Sequence, residues 1–377
     1  MLKKIDLHIR AEIFFFCVFV SLMLFQTSYK NLGTITAGVV IILTIVILFC
    51  KYKSIRMTTT NALLLCFVME MLFCSLINGR AVLSKISFLA QIILFIFITY
   101  ISVSEKENKL IRNVYELSCT FYSAVIIYSC LINTTRYIHS GLIMFGTVID
   151  PNFAALPLVA STVMILDHVV KKEKIIFNIS KLAIVFGAIM FTSSRAAFVG
   201  MIVVLFLFLC SKLFSRNISI GKTLLILFFI ILVSILFVNL AEYYFPEQLE
   251  RMINLTGSGD GGNGRIDLWE RSISEWENHP VFGIGLDGVV ETYGKATHNT
   301  YLQLLTETGI LGFGFFISFI IILLLRVKKV DLVLCIAFCG FLVQIAFVDA
   351  LQDRCLWCML TWIALLPEGK FKEIEAY

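Results

Sequence analysis

A short polar stretch directly before an apolar run contains the residue best suited to acid–base chemistry. It reads Thr297-His298-Asn299-Thr300-Tyr301. A helix is expected to begin near Thr300, with Asn299 or Thr297 as its cap. The positive end of the helix dipole disfavours a protonated imidazole, so His298 would be neutral at physiological pH and able to accept a proton. A surface histidine at a loop end explains the same spacing, and both interpretations stay open.

Three arginines could bind an anion such as a phosphate, because a guanidinium group grips phosphate oxygens in a bidentate fork. Arg265 and Arg271 lie upstream of His298 in the longest polar segment. Arg195 follows Thr192-Ser193-Ser194 in a very short connection between two apolar runs. Its side chain either extends to the aqueous boundary without a ligand or binds a diphosphate, and we prefer the diphosphate.

The composition indicates the class of protein that must position these residues. Hydrophobic residues make up 59% of the 377-residue chain, charged residues 15%, and the mean hydropathy is +0.91. A soluble protein needs more charge to cover its surface, so the chain is predicted to be an all-α polytopic membrane protein. About twelve runs are long enough for membrane helices: 11–27, 33–50, 60–78, 85–103, 115–132, 153–169, 175–192, 196–213, 222–241, 301–325, 331–348 and 354–367.

The distribution of basic residues predicts the orientation. With the N-terminus in the cytoplasm, 21 of the 31 basic residues fall on the inner side, as the positive-inside rule requires. Both termini are then cytoplasmic. The chain divides into residues 1–241 with membrane helices one to nine, a long extracytoplasmic loop at 242–300, and residues 301–377 with helices ten to twelve and a cytoplasmic tail. The net charge of +5 does not indicate a nucleic-acid partner.

The long loop contains two recognisable segments. Residues 256–264 include five glycines, which either cradle a phosphate or form a hinge, and the hinge is favoured. Residues 265–278 have helical spacing, with Ile266, Trp269, Ile273 and Trp276 on one apolar face. Tryptophans on such a face favour a helix that lies at the bilayer interface.

Two further observations concern helix starts and metals. Asp150-Pro151-Asn152 precedes an apolar run, and Asn152 can cap the helix that follows. The outer loops contain no Asp-x-Asp pair to hold a divalent ion, so no metal or other cofactor is expected. Most of the eleven cysteines fall within apolar runs, including Cys355-x-x-Cys358, and are interpreted as buried thiols.

Four motifs, in this order, resemble the O-antigen polymerase and O-antigen ligase superfamily. They are Phe145-Gly146-Thr147 with Asp150-Pro151-Asn152; Phe191-Thr192-Ser193-Ser194-Arg195; Gly264-Arg265 with Trp269 and His279-Pro280-Val281-Phe282-Gly283-Ile284-Gly285; and His298-Asn299-x-Tyr301-Leu302 with Glu307-x-Gly309-Ile310-Leu311-Gly312. Each motif is weak alone, and the ordered set is specific.

The resemblance implies a membrane glycosyltransferase with GT-C-type architecture in the bacterial cytoplasmic (inner) membrane, whose donor is a glycan on undecaprenyl diphosphate. The family's functional trio falls on His298 as the base and Arg195 with Arg265 as the diphosphate clamp. We further expect Asn152, Asn299, Arg271 and Tyr301 to contact the substrate.

Three functions remain open at this stage. A polymerase would join lipid-linked repeat units to a lipid-linked acceptor, and we prefer it because this chain shows no appended domain. A ligase would pass the glycan to another acceptor. A transporter of the same lipids is less favoured, because charges concentrate in the outer loops and not deep in the helices. By analogy, a flippase and a chain-length regulator are the expected protein partners.

Overall fold

The computed structural model of the chain describes residues 10–25, 32–51, 57–80, 86–99, 101–132, 142–144, 147–214 and 264–369, with the single positions 221, 239 and 242. The predicted ninth span at 222–241 and the glycine-rich segment at 256–263 lie outside the continuous described ranges. The hinge and phosphate-cradle interpretations of the latter therefore stay predictions.

The described residues are almost entirely helical. The helices are α1 (Ala11–Leu22), α2 (Leu32–Lys51), α3 (Thr59–Ile77), α4 (Ile86–Ile98), α5 (Glu105–Ile132), α6 (Pro151–Val170), α7 (Ile175–Thr192), α8 (Arg195–Phe214), α9 (Arg265–Asn278), α10 (Gly288–Tyr293), α11 (Thr300–Val330), α12 (Leu332–Gln344) and α13 (Arg354–Leu365). A 3₁₀ turn, Met23–Phe25, follows α1. One short antiparallel hairpin departs from the all-α expectation: β1 (Leu142–Met144) pairs with β2 (Thr147–Ile149), with Ile143 opposite Val148.

The chain is a polytopic membrane protein. Within the described residues, six helices are long and apolar enough to cross a bilayer, namely α3, α5, α6, α7, α8 and α11. Five shorter apolar helices lie in α1, α2, α4, α12 and α13. Helices therefore stand at eleven of the twelve predicted spans, and the ninth lies outside the continuous described ranges. That all of them cross the membrane, giving twelve spans, stays a prediction, because a 12-residue helix such as α13 is only about 18 Å long.

Helix α13 lies at the centre of the packing. Every residue from Arg354 to Leu365 is buried. Both of its tryptophans find acceptors for their indole N–H groups, since Trp357 donates to the Leu351 carbonyl at 2.7 Å and Trp362 donates to Asn108 Oδ1 at 2.8 Å. Large aromatic surfaces can be buried here without leaving a polar atom unsatisfied.

A buried ionic cluster ties α5, α6, α7 and α8 together at one end of the molecule. The carboxylates of Glu116 and Asp167 are fully buried. Glu116 pairs with Arg112 at 3.2 Å and Lys181 at 2.7 Å, and Asp167 pairs with Arg112 at 3.2 Å and Lys212 at 2.9 Å. Each buried charge is thus compensated, as burial of an ion requires. Helix α6 is about 30 Å long, and its N-terminal end, at Asp150, lies far from this cluster.

Helix α11 covers the predicted span at 301–325 and contains a break that the sequence analysis did not predict. Helix α11 breaks at Gly309, whose φ of +62° and ψ of −168° are not helical. Residues 300–308 and 310–330 are therefore two helical segments joined at a kink. The kink is held by a loop from outside the helix, described below.

Candidate active site

Two of the motifs meet directly where α6 and α8 begin. The residue that caps α6 is Asp150 and not Asn152 as predicted, because Asp150 Oδ1 accepts from the Asn152 backbone N–H at 2.7 Å and from Asn152 Nδ2 at 3.0 Å. The Ser194 hydroxyl donates to Asn152 Oδ1 at 2.7 Å, and Ser194 is 2% exposed. The carboxamide of Asn152 therefore fixes the start of α8, which carries Arg195.

Arg195 is the first residue of α8 and is half-buried. Its guanidinium makes no hydrogen bond or ion pair with any residue that the structure describes. The preceding Ser193 has a φ of +51°, and its buried hydroxyl has no hydrogen-bond partner among the described residues. Backbone N–H groups at a helix start and a guanidinium with no partner in the part of the chain that the structure describes together suit an anionic ligand.

Helix α9 carries Arg265 to the loop that contains His298. The predicted range of residues 265–278 is confirmed. Leu268 and Ser272 are buried on one side of the helix, and Arg265 and Trp269 lie on or beside that side because of the 3.6-residue repeat. The Trp269 indole N–H donates to the Thr297 carbonyl at 2.8 Å. Arg265, one turn before Trp269, is thereby placed near His298.

The apolar face predicted for α9 is only partly buried. Trp269 and Trp276 are half-buried. Ile266 is 56% exposed and Ile273 is 43% exposed. These isoleucines flank the side that packs against the protein, so their apolar surface is available to a bilayer interface. The interfacial position itself stays a prediction.

The segment Pro280–Gly285 forms hydrogen bonds with the backbone groups of α11 that the break at Gly309 leaves without helical partners. In a regular helix, the Ile310 amide would donate to the Thr306 carbonyl. Here Ile310 N donates to the Pro280 carbonyl at 2.9 Å, and the Thr306 carbonyl accepts from Ile284 N at 3.1 Å. Gly285 N likewise donates to the Glu307 carbonyl at 2.9 Å. The backbone groups freed by the kink are satisfied by this loop, which fixes its position against α11.

Glycines make this close approach sterically feasible. Gly283 and Gly309 have positive φ values of +69° and +62°. A Cβ atom on Gly309 would overlap the Val281 carbonyl, and one on Gly283 would overlap the Glu307 backbone. Glycine is required at both positions for conformation and for space.

His298 itself has a left-handed backbone conformation between two anchored residues. Its φ is +53°, a region that costs an L-residue about 1 kcal/mol. On one side, the Thr297 hydroxyl accepts from Asn299 N at 3.1 Å. On the other side, Thr300 N donates to the Ile345 carbonyl at 2.9 Å and its hydroxyl donates to the Val348 carbonyl at 2.6 Å. Strain held by surrounding contacts is common where a side chain must be aimed.

The surroundings of His298 favour its neutral form. Burial lowers its pKa below the ordinary 6.5, and the positive charges of Arg265 and Lys295 lower it further, while Asp150 acts in the opposite direction. The direction agrees with the sequence-based expectation, but the leading cause is burial and not the helix dipole. The electrostatic influence of Asp150 and Arg265 also shows that the starts of α6 and α9 lie near the imidazole.

Residues 181–317, which include Arg195, Arg265 and His298, match a protein-family model described as O-antigen ligase. This match, to residues 181–317 of the 377-residue chain, supports the O-antigen polymerase and ligase superfamily. The resemblance expected from the sequence is confirmed at this level. The superfamily's members are membrane glycosyltransferase-like enzymes, and the match supports a function of the O-antigen ligase or polymerase type in general. No curated protein matches the sequence.

The superfamily motifs thus converge at one end of the molecule, but several predicted substrate contacts have other partners. Asn299 caps α11 by accepting from Tyr301 N and Leu302 N, both at 3.1 Å. The Tyr301 hydroxyl donates to the Leu342 carbonyl at 2.8 Å. Arg271 is exposed and pairs with Asp267 at 3.0 Å. Substrate contacts by these three residues and by Asn152 stay predictions.

Sequence reasoning missed the polar network behind the His298 loop. Gln303 and Glu307 are 4% and 2% exposed, and they stand one turn apart on α11. Two large polar residues with an i, i+4 spacing, just inside an apolar run, were the available signal. Such groups need partners when buried. The sequence does not show that the partner of Gln303 is Thr297.

Proposed function

We propose that the chain polymerises undecaprenyl-diphosphate-linked oligosaccharide repeat units into an O-antigen, capsular polysaccharide or exopolysaccharide. The reaction takes place at the outer face of the bacterial cytoplasmic membrane. The observation that carries the proposal is the environment of His298. A histidine whose pKa is lowered by burial lies near Arg265 and at the same end of the bundle as Arg195.

The proposed step is a glycosyl transfer. A sugar hydroxyl of the acceptor attacks the anomeric carbon of the donor, and His298 takes the hydroxyl proton. The bond between the anomeric carbon and the diphosphate oxygen breaks, and undecaprenyl diphosphate leaves. Arg195 and Arg265 stabilise the charge that develops on the departing diphosphate. Attack from the face opposite the diphosphate inverts the anomeric configuration, and NMR of the product linkage would contradict this if it showed retention.

Cations from the protein take the role that a divalent ion has in many phosphate sites. The part of the chain that the structure describes holds no group of three or more His, Cys, Asp or Glu residues placed to bind a metal ion. Metal independence is a proposal with a direct test. Transfer by wild-type protein in excess EDTA should match transfer with added Mg²⁺ to within about twofold, and abolition by EDTA would contradict it.

The distribution of charge supports the proposed orientation. Asp150 and Arg195 mark one end of α6 and α8, and the basic cluster with Lys171, Lys181 and Lys212 marks the other. If the cluster end faces the cytoplasm, as the positive-inside rule favours, His298 lies on the outer side.

A ligase is the second candidate, because the family model that matches residues 181–317 is described as O-antigen ligase. The same base and clamp serve both reactions. The two differ in the acceptor, which is a second lipid-linked glycan for the polymerase and a different molecule for the ligase.

The test is a vesicle assay with purified protein and undecaprenyl-diphosphate repeat units, without a flippase or chain-length regulator. A ladder of lengthened glycans would support the polymerase. Product that forms only when a separate lipid-core acceptor is added would replace the polymerase with the ligase. Movement of the lipid-linked units across the bilayer without any new glycosidic bond would contradict both.

A further inference from the structure

A single buried side chain, Gln303, holds the loop residue that precedes His298. Gln303 Oε1 accepts from the Thr297 backbone N–H at 3.0 Å and from the Thr297 hydroxyl at 3.2 Å. The same hydroxyl lies 2.9 Å from the Asn299 carbonyl oxygen and 3.1 Å from the Asn299 amide. Thr297 is fully buried. The backbone on both sides of His298 is therefore connected to one carboxamide.

Glu307 determines the orientation of that carboxamide. The backbone N–H of Thr297 can only donate, so the oxygen of Gln303 must face it. Gln303 Nε2 then faces Glu307 and donates to Glu307 Oε1 at 3.0 Å. Glu307 also interacts with the backbone N–H of Asp287. A carboxyl oxygen of Glu307 is the acceptor on the far side, so the amide cannot rotate without losing bonds at both ends.

The network also joins α9, which carries Arg265, to α11, which begins directly after the His298 loop. The Thr297 carbonyl oxygen accepts from the Trp269 indole N–H, and the Thr297 backbone N–H donates to Gln303 Oε1. Trp269 lies on α9, one turn after Arg265, and Gln303 lies on α11. The Thr306 hydroxyl adds a second contact, since it lies 3.1 Å from the Ser272 carbonyl oxygen and 2.9 Å from the Leu302 carbonyl oxygen of its own helix. Thr297 is thus held between α9 and α11.

We infer that Gln303 and Glu307 are positioning residues, which hold Thr297 and thereby aim the His298 imidazole at the acceptor hydroxyl. Neither side chain contacts the reacting atoms. The effect on transfer rests on the proposed function, whereas the effect on His298 does not. A buried donor–acceptor chain of this kind fixes one rotamer and one loop conformation, and displacement of a base by about 1 Å can cost on the order of 10²-fold in rate.

The first test replaces Gln303 with methionine, which has similar length and no hydrogen-bonding amide. Gln303→Met should lower the transfer rate at saturating donor by about 10- to 100-fold and change the donor KM by less than about threefold. The matched control is Gln344→Met. Gln344 is also buried on an apolar helix, where it donates to the carbonyls of Leu156 and Gly340, and its loss should change the rate by less than about threefold.

Exchanging the side chains of Gln303 and Glu307 distinguishes a role in positioning His298 from a role in the general stability of the fold. Gln303→Glu alone places two carboxyl groups side by side and should reduce the rate as strongly as Gln303→Met. Combining it with Glu307→Gln restores the pattern, because the new carboxylate at position 303 accepts from Thr297 and from the new amide at position 307. The double variant should recover to within about threefold of wild type. A folded double variant that is no better than Gln303→Glu would overturn the inference.

The second readout does not depend on any activity. The His298 ring is followed by NMR of histidine-labelled protein across pH and assigned by its absence in His298→Ala. Release of the loop exposes the ring, so Gln303→Met should raise its pKa toward the ordinary 6.5, while Gln344→Met leaves it unchanged. An unchanged pKa together with an unchanged rate in folded Gln303→Met would overturn the inference. If wild type forms no polymer, the proposed function fails, and this titration still decides whether Gln303 positions His298.

Discussion

The protonation state of His298 depends on residues that are far apart in the sequence. Arg265 and Lys295 lie in the segment that precedes His298, and Asp150 caps α6. The sequence motifs contain Arg265 and Asp150, but only the fold brings their charges to the imidazole. A prediction from local sequence alone could use the helix dipole and nothing else.

Opposite shifts of the His298 pKa are expected from two substitutions. Arg265→Gln removes a positive charge and should raise the pKa, whereas Asp150→Asn removes a negative charge and should lower it. Asparagine keeps the helix cap at position 150. NMR titration of the His298 ring measures both shifts, and Asp267→Asn, on the exposed side of α9, is the control. Shifts of the same sign, or none, would contradict the assigned electrostatics.

The pH dependence of transfer follows from the lowered pKa. Because the folded-state pKa of His298 lies below 6.5, the imidazole is neutral at pH 7, and activity is lost only as pH falls through that pKa. The acid limb of kcat/KM should therefore lie below pH 6.5 and move to lower pH in Asp150→Asn. An acid limb above pH 7 in wild type would show that another group is the base.

Two substitutions of Arg195 distinguish the contribution of its positive charge from that of its bidentate guanidinium geometry. Its guanidinium has no partner among the described residues, so its replacement should leave folding intact. Arg195→Gln should lower the transfer rate by about 10²–10³-fold, as loss of one preorganised charge contact does. Arg195→Lys keeps the charge but loses the bidentate fork and should fall between Arg195→Gln and wild type. Rates within threefold of wild type for both variants would remove Arg195 from the clamp.

At the level of elements, local periodicity predicted α9 to the residue, but it did not predict the kink in α11. The run from Tyr301 to Leu325 is mostly apolar, with most of its polar residues in the first turns, and its length is typical of one membrane helix. Gly309 costs only about 1 kcal/mol in a helix, so its presence does not require a break. The break is stable because Pro280–Gly285 satisfies the freed backbone groups, and this partner lies more than twenty residues upstream. Long-range compensation of this kind cannot be predicted from helical spacing.

A glycine pair in α11 tests the role of the kink. Gly309→Ala forces a side chain into the left-handed region and into the Val281 carbonyl, and should lower the free energy of unfolding by about 2–4 kcal/mol. Gly314→Ala lies on the same helix, where an added Cβ meets nothing within 4 Å, and should have little effect. Thermal unfolding in detergent compares the two. Equal midpoints would contradict the structural role of Gly309.

At the level of the whole molecule, the hydropathy pattern predicted the membrane class and the positions of the described apolar helices. It could not predict which helix becomes central, because α13 is apolar like its neighbours. Its complete burial arises from contacts with surrounding helices. The buried ionic cluster around Glu116 and Asp167 likewise joins residues on four helices, although each residue alone resembles an ordinary helix-end charge.

The two ends of α6 should lie on opposite sides of the membrane. A protease site inserted between Lys172 and Glu173 lies beside the basic cluster, and one inserted between Gly294 and Lys295 lies in the His298 loop. Protease added to intact spheroplasts should cut only the second variant, while both are cut after detergent lysis. Cleavage of only the first variant in intact spheroplasts would invert the proposed orientation.

The most direct test of the account is the rate of glycan transfer by His298→Ala in the vesicle assay, at equal amounts of folded protein. The control is His279→Ala, which removes an exposed histidine that lies beside Glu275 in the same polar segment. Loss of the general base should lower the rate by about 10²–10⁴-fold, while His279→Ala stays within about threefold of wild type. Transfer by His298→Ala at the wild-type rate would contradict the assignment of His298 as the catalytic base.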